Sequence, residues 1–239
     1  VTLNRPDALN AFNNQVFDEL CAAFLTAATD NSTKVLLLTG AGRAFSAGAD
    51  LKAKGKVEAP PRYGLEGLLN AIIDFPKPFV VAANGLGVGI GCTILGLADV
   101  AFAAESARFR CPFSALGITA EAASTYTFTR LMGHKKASWI LLAAEWVSAS
   151  EARETGLVND VFADADFMAE VQKRVQTLAA LPRESLMQTK ELIMAPQRPA
   201  MKAAVIAENA GLARLSGGPA NREALSAFME KRTADFSKL

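Results

Sequence analysis

The sequence predicts an α/β fold, built from strand and helix units stacked around parallel sheets and followed by a helical tail. Three observations predict it. Short apolar, β-branched runs recur at 34–40 (KVLLLTG), 78–84 (PFVVAAN), 98–104 (ADVAFAA) and 157–162 (LVNDVF). Helical stretches lie between them, and such alternation is the pattern of sheets covered by helices. From Asp164 onward the pattern is helical throughout.

Taken in order, residues 13–28 place Val16, Phe17, Leu20, Phe24 and Leu25 on one helical face. The stretch LKAKGKVEAPPRYG (51–64), with two glycines and a Pro-Pro pair, reads as a mobile surface loop. Leu181-Pro182 and Ala195-Pro196 break the tail, and GGP (217–219) precedes a last amphipathic helix over 220–231. The α/β core is expected to end near residue 160.

Composition narrows the function classes. With 239 residues, 51% of them hydrophobic, the chain can bury one sizeable core. A net charge of +1 supplies no basic excess for nucleic acid and no acidic tail for a cationic partner, so a small-molecule partner is expected. Three cysteines, Cys21, Cys92 and Cys111, without CxxC spacing argue against a disulfide framework and a zinc site, and for a reducing compartment. No apolar run approaches the ~20 residues that span a bilayer. The start at Val1, without Met and already strand-like (VTLNRP), fits a missing upstream strand or leader. The last three residues, Ser237-Lys238-Leu239, match the S-K-L read by peroxisomal import receptors.

Two segments share one design of buried strand, glycine-rich turn and helix: VLLLTGAGRAFSAGADL (35–51) and FVVAANGLGVGIGCTILGLAD (79–99). Glycines let backbone approach a ligand, and a helix start presents amides without intrahelical partners, so both suit a negative oxygen. Dinucleotide binding fails on spacing. From Gly85 the third glycine of GxGxxG would fall on Ile90, and from Gly87 on Cys92.

Within PFSALGITAEAASTYTF (112–128) stands Glu121, the only acid between Ser106 and Ala144, with no Lys or Arg within eight residues on either side. Desolvation would raise its pKa and make it a stronger base. Thr119 capping a helix that starts at Ala120 would act the opposite way, and the sequence leaves the balance open. His134, the only histidine, lies in MGHKKAS with no GxSxG in the chain, and is expected to be structural or exposed.

LNRPDALNAF, AFSAGADL, KPFVVAANGLGVGIGCTILGLADVAFAAESARF, TAEAASTYTFTRLMG and AAEWVSASEARETGLVNDVF together resemble the enoyl-CoA hydratase/isomerase (crotonase) superfamily over nearly the whole chain. The resemblance implies a crotonase-like spiral of ββα units over 1–160. A C-terminal α-helical trimerisation region over 161–239 would belong to the same structural domain. It implies an acyl-CoA thioester as substrate, a homotrimer or dimer of trimers, and no cofactor beyond the coenzyme A that the substrate carries.

By motif, the backbone amides of Ala49 and Ile90 would hold the thioester oxygen. Ala47, Gly48, Asp50, Leu51 and Lys52 would lie along CoA and substrate, Phe113 would wall the acyl tunnel, and Lys231 and Arg232 would approach the CoA 3′-phosphate. Cys92 and Cys111 are candidates for the pocket lining. Where the family's hydratases carry two glutamates, this chain has Thr93 and Phe113. In peroxisomal Δ3,Δ2-enoyl-CoA isomerases a single glutamate lies further along and matches Glu121. The resemblance thus implies conversion of 3-enoyl-CoA to trans-2-enoyl-CoA in the peroxisomal matrix. A non-catalytic acyl-CoA-binding scaffold, and a dienoyl-CoA isomerase or weak hydratase, remain as alternatives.

Overall fold

After β1 (Thr2–Leu3), Asn13 accepts the Val16 amide at 3.0 Å and so opens α1 (Asn14–Thr29). The computed structural model describes residues 1–51, 60–237 and 239. Lys52, Lys238 and most of the loop read at 51–64 therefore lie outside the described residues.

From there the chain deals its strands alternately to two sheets. β2 (Leu36–Gly40) joins the first sheet and β3 (Ala44–Ser46) the second. After α2 (Gly64–Ile73), β4 (Phe79–Ala83) and β5 (Leu86–Val88) repeat the pattern. After α3 (Ile90–Thr93), β6 (Val100–Ala104) and β7 (Arg108–Arg110) repeat it again. Past α4 (Ser124–Ala143), β8 (Trp146–Ser148) extends the second sheet, and after α5 (Ala149–Glu154), β9 (Asp160–Phe162) extends the first. The first sheet runs β1-β2-β4-β6-β9, all parallel; the second runs β3-β5-β7-β8 and is parallel except for β8. This is the spiral of ββα units that the family resemblance implied.

The strands of the first sheet read as continuous apolar runs because both faces are covered. FVVAA of β4 is buried at all five positions. The Phe24 ring of α1 meets Phe75 and Phe79 edge to face, with centroids 5.1 and 4.9 Å away. The tail forms α6 (Phe167–Ala179), α7 (Arg183–Met194), α8 (Arg198–Leu215) and α9 (Pro219–Glu230). Lys190 ties α7 to the sheet, donating to Asp99 at 2.7 Å and to the Lys77 carbonyl at 2.8 Å. Among the described residues no helix is long and apolar enough to cross a membrane.

Asn10 holds the loop after β1 against β3. It is buried, its Nδ2 donates to the Ala41 and Ala44 carbonyls at 2.9 and 2.8 Å, and its Oδ1 accepts the Arg5 amide at 2.9 Å. Asn10→Ala strands two carbonyls and an amide, so unfolding in urea should show a loss of about 2–3 kcal/mol. A change below about 0.5 kcal/mol would remove Asn10 as the anchor.

Candidate active site

Two glycine turns meet face to face. Gly48 has φ +84° and Gly89 φ +55°, a region open to glycine at little cost. A Cβ at Gly48 would lie 2.6 Å from the Val88 carbonyl oxygen, and one at Gly89 would lie 3.8 Å from the Gly48 Cα. The turns are therefore in backbone contact, which fixes the residue after each glycine, Ala49 and Ile90, relative to the other.

Both residues carry a backbone N–H at the end of a glycine turn. Phe12 uses the Gly48 carbonyl and the Asp50 amide, at 2.8 and 2.9 Å, so the Ala49 amide faces away from that pairing. Ile90 opens α3, where an N–H has no intrahelical acceptor. A cavity of about 710 Å³ lies against these turns. Ala47, Gly48, Ala49, Asp50 and Leu51 line it, with Val88 and Gly89 of the second turn; the Ile90 side chain is buried beneath. Phe113 forms part of the wall, and Ala224, Leu225 and Phe228 of α9 close the far side.

Glu121 also lines this cavity. The expected helix start at Ala120 is not observed, because Ala122 and Ala123 both adopt left-handed backbone, with φ of 61° and 55°. Helix α4 begins at Ser124, and Thr119 does not cap it. Its first amides go instead to Glu208 of α8. The Ala123 N–H donates to Oε2 at 2.7 Å, while the Thr125 N–H and hydroxyl donate to Oε1 at 2.9 and 2.7 Å. The helix terminus thus stabilises Glu208 and leaves Glu121 without that help.

The balance left open by the sequence falls to desolvation. Part of the Glu121 surface faces the cavity, but the surrounding protein removes water from its carboxyl. That burial first, and the Glu208 charge second, push its pKa up to about 7. Thr93 is fully buried, its hydroxyl directed to the Gly89 carbonyl at 3.3 Å. Cys92 and Cys111 are fully buried as well and do not line the cavity; their mutual hydrogen bond and burial push the Cys111 thiol up. Arg232 reaches the cavity mouth, held by Glu223 and Glu230. His134 is exposed, just past the break that Gly133 makes in α4 (φ 76°, ψ 163°). Among the described residues no cluster of His, Cys, Asp and Glu could hold a metal ion.

Comparison with known proteins identifies the family. The enoyl-CoA hydratase/isomerase family model matches residues 1–238. The chain is 42% identical over 200 residues to rat enoyl-CoA delta isomerase 2, covering 81% of this chain and 51% of that protein. It is 40% identical to mouse peroxisomal enoyl-CoA delta isomerase 3, over 81% of this chain and 63% of that one. It thus spans about half to two thirds of the length of these isomerases. Escherichia coli 2,3-dehydroadipyl-CoA hydratase is 36% identical over 99% of this chain and 93% of its own. The crystal structure of an enoyl-CoA hydratase/isomerase from Pseudoalteromonas atlantica superimposes with a TM-score of 0.93 at 33% identity, covering 99% of this chain and 94% of that one. The chain belongs to the enoyl-CoA hydratase/isomerase family.

Proposed function

We propose that the protein is a Δ3,Δ2-enoyl-CoA isomerase that moves the double bond of a 3-enoyl-CoA to give the trans-2-enoyl-CoA. The observation that carries this reading is one desolvated carboxyl, Glu121, on the wall of a cavity that Phe113 also lines. The thioester oxygen would lie against the Ala49 and Ile90 amides. Glu121 takes the C2 proton, and the electron pair delocalises over a dienolate whose charge sits mainly on that oxygen. Preorganised amides there contribute about 3–4 kcal/mol each to the transition state. Protonated Glu121 then delivers the proton to C4, the double bond forms between C2 and C3, and no water is consumed.

A base near pKa 7 suits this exchange, since it must both take and return a proton at neutral pH. Water addition needs a second proton-transfer group, and neither Thr93 nor Phe113 can act as one. Hydration is kept as the control because a hydratase stands among the relatives.

The test uses 3-hexenoyl-CoA, with absorbance of the conjugated thioester as signal and hydration of 2-hexenoyl-CoA in parallel. Fast conjugation with negligible hydration is expected, and kcat/KM should rise with pH through a midpoint near 7 as Glu121 loses its proton. Hydration outrunning conjugation would overturn the assignment. Coenzyme A bound without turnover would leave a scaffold.

Three further readings accompany this one. Residues 1–160 form the ββα core and 161–239 the oligomerising part of one domain; exposed Leu192, Ile193 and Ile206 on α7 and α8 support a homotrimer or dimer of trimers. A monomer by light scattering would remove that reading. Likeness to a mouse isomerase named as peroxisomal supports import into the peroxisomal matrix, and a fluorescent fusion that stays outside peroxisomes would refute it.

A further inference from the structure

We propose that Glu208 is a positioning residue for Glu121: reaching from α8, it fixes the turn that presents the catalytic carboxyl to the cavity. This rests on the role given to Glu121 above.

The geometry carries it. Two successive non-glycine residues, Ala122 and Ala123, hold left-handed backbone directly after Glu121. Each costs of order 1 kcal/mol and persists only where the surroundings enforce it. The enforcing group is the Glu208 carboxylate, which is buried and accepts three hydrogen bonds from Ala123 and Thr125. Ala123, the N-cap residue of α4, has no side-chain oxygen to do this. The acceptor comes from an element 85 residues further along the chain. On α8, Glu208 shares a face with Met201 and Val205, both buried. A carboxyl there, in place of an apolar side chain, calls for a specific use.

The same placement sets a negative charge behind Glu121. Apart from Asp7, the other ionisable groups around that carboxyl are engaged elsewhere. Arg110 donates to the Ala144 carbonyl, Arg232 pairs with Glu223, Asp50 pairs with Arg5, and the Cys111 thiol is hydrogen-bonded to Cys92. Asp7 also lines the cavity. Glu208 is the charge that raises Glu121 beyond the effect of burial.

Two variants separate position from charge. Glu208→Gln removes the charge and one acceptor. Its kcat for 3-hexenoyl-CoA should fall about tenfold to hundredfold with KM little changed, the range for slight misplacement of a reacting group. The midpoint of its kcat/KM profile should move to lower pH. Glu208→Asp keeps the charge and shortens the reach, so kcat should fall while the midpoint stays. A merely structural role would lower activity and leave both midpoints in place.

The carboxyl carbon-13 titration of Glu121, identified by its loss in Glu121→Gln, reads the same shift without turnover. A downward shift in an inactive protein would refute the isomerase and keep this inference; an active enzyme with unmoved titration and unchanged kcat would do the reverse. Should Glu208→Gln fail to fold, Thr125→Val removes only the hydroxyl donor. A lowered kcat then supports the role, and an unchanged one overturns it.

Discussion

Glu121→Gln is expected to lower isomerisation of 3-hexenoyl-CoA by about 10²–10⁴-fold, the usual contribution of a positioned acid-base group, while coenzyme A ester binding is retained. Glutamine keeps the size and hydrogen-bonding capacity of the side chain but cannot accept a proton from carbon. A second consequence concerns stability. Glu121 titrates near 4.5 as a free side chain and at about 7 in the folded protein, so the folded state binds this proton more tightly. Its contribution is fully present below pH 4.5 and is lost as pH rises through 7. Glutamine never ionises, so at about pH 8 the variant should unfold at higher temperature than the wild type. The advantage is up to about 3 kcal/mol and should vanish near pH 4. Full activity in the variant would remove Glu121 from the reaction. Equal melting temperatures at pH 8 would show that its carboxyl is not desolvated.

The other large effect is expected at Gly48. In Gly48→Ala the new methyl would sit 2.6 Å from the Val88 oxygen on a backbone with φ +84°, so one of the two turns must move. In the proposed isomerase, displacement of the Ala49 amide would remove one donor to the thioester oxygen, and loss of one such donor lowers kcat by about 10²–10³-fold. The backbone strain itself costs about 1–3 kcal/mol, visible as a lowered melting temperature. The two readouts differ in kind, since a merely destabilised protein would keep its kcat per folded molecule. Unchanged kcat in folded Gly48→Ala would mean that this turn does not hold the reacting oxygen.

The sheets were legible because parallel strands covered on both faces must be apolar throughout, and FVVAA and VAFAA leave little else to form. Helix limits were legible from apolar periodicity, and α1 and α9 lie within one residue of expectation, although the Asn13 cap was not read. The paired glycine turns could be read from spacing, although only the folded chain shows that they touch. The start of α4 was misread because Thr119 and Ala120 look like a cap and a first turn. Two left-handed alanines carry no sequence signature, since nothing local favours them; their stabilisation comes from α8. Glu208 was missed for the same reason. In an alanine-rich helix it looks like a solvated acid, and the available signal was its spacing of three and seven from Val205 and Met201.

That long-range acceptor also orders events in time. Synthesis at about 5–20 residues per second delivers Glu208 roughly ten seconds after the turn it holds. By then every strand of both sheets has been made, and the glycine turns can already be in contact. A nascent chain can therefore bring the two glycine turns together before the Glu121 turn is fixed. If Glu208 has the role proposed above, proton transfer would wait until α8 docks.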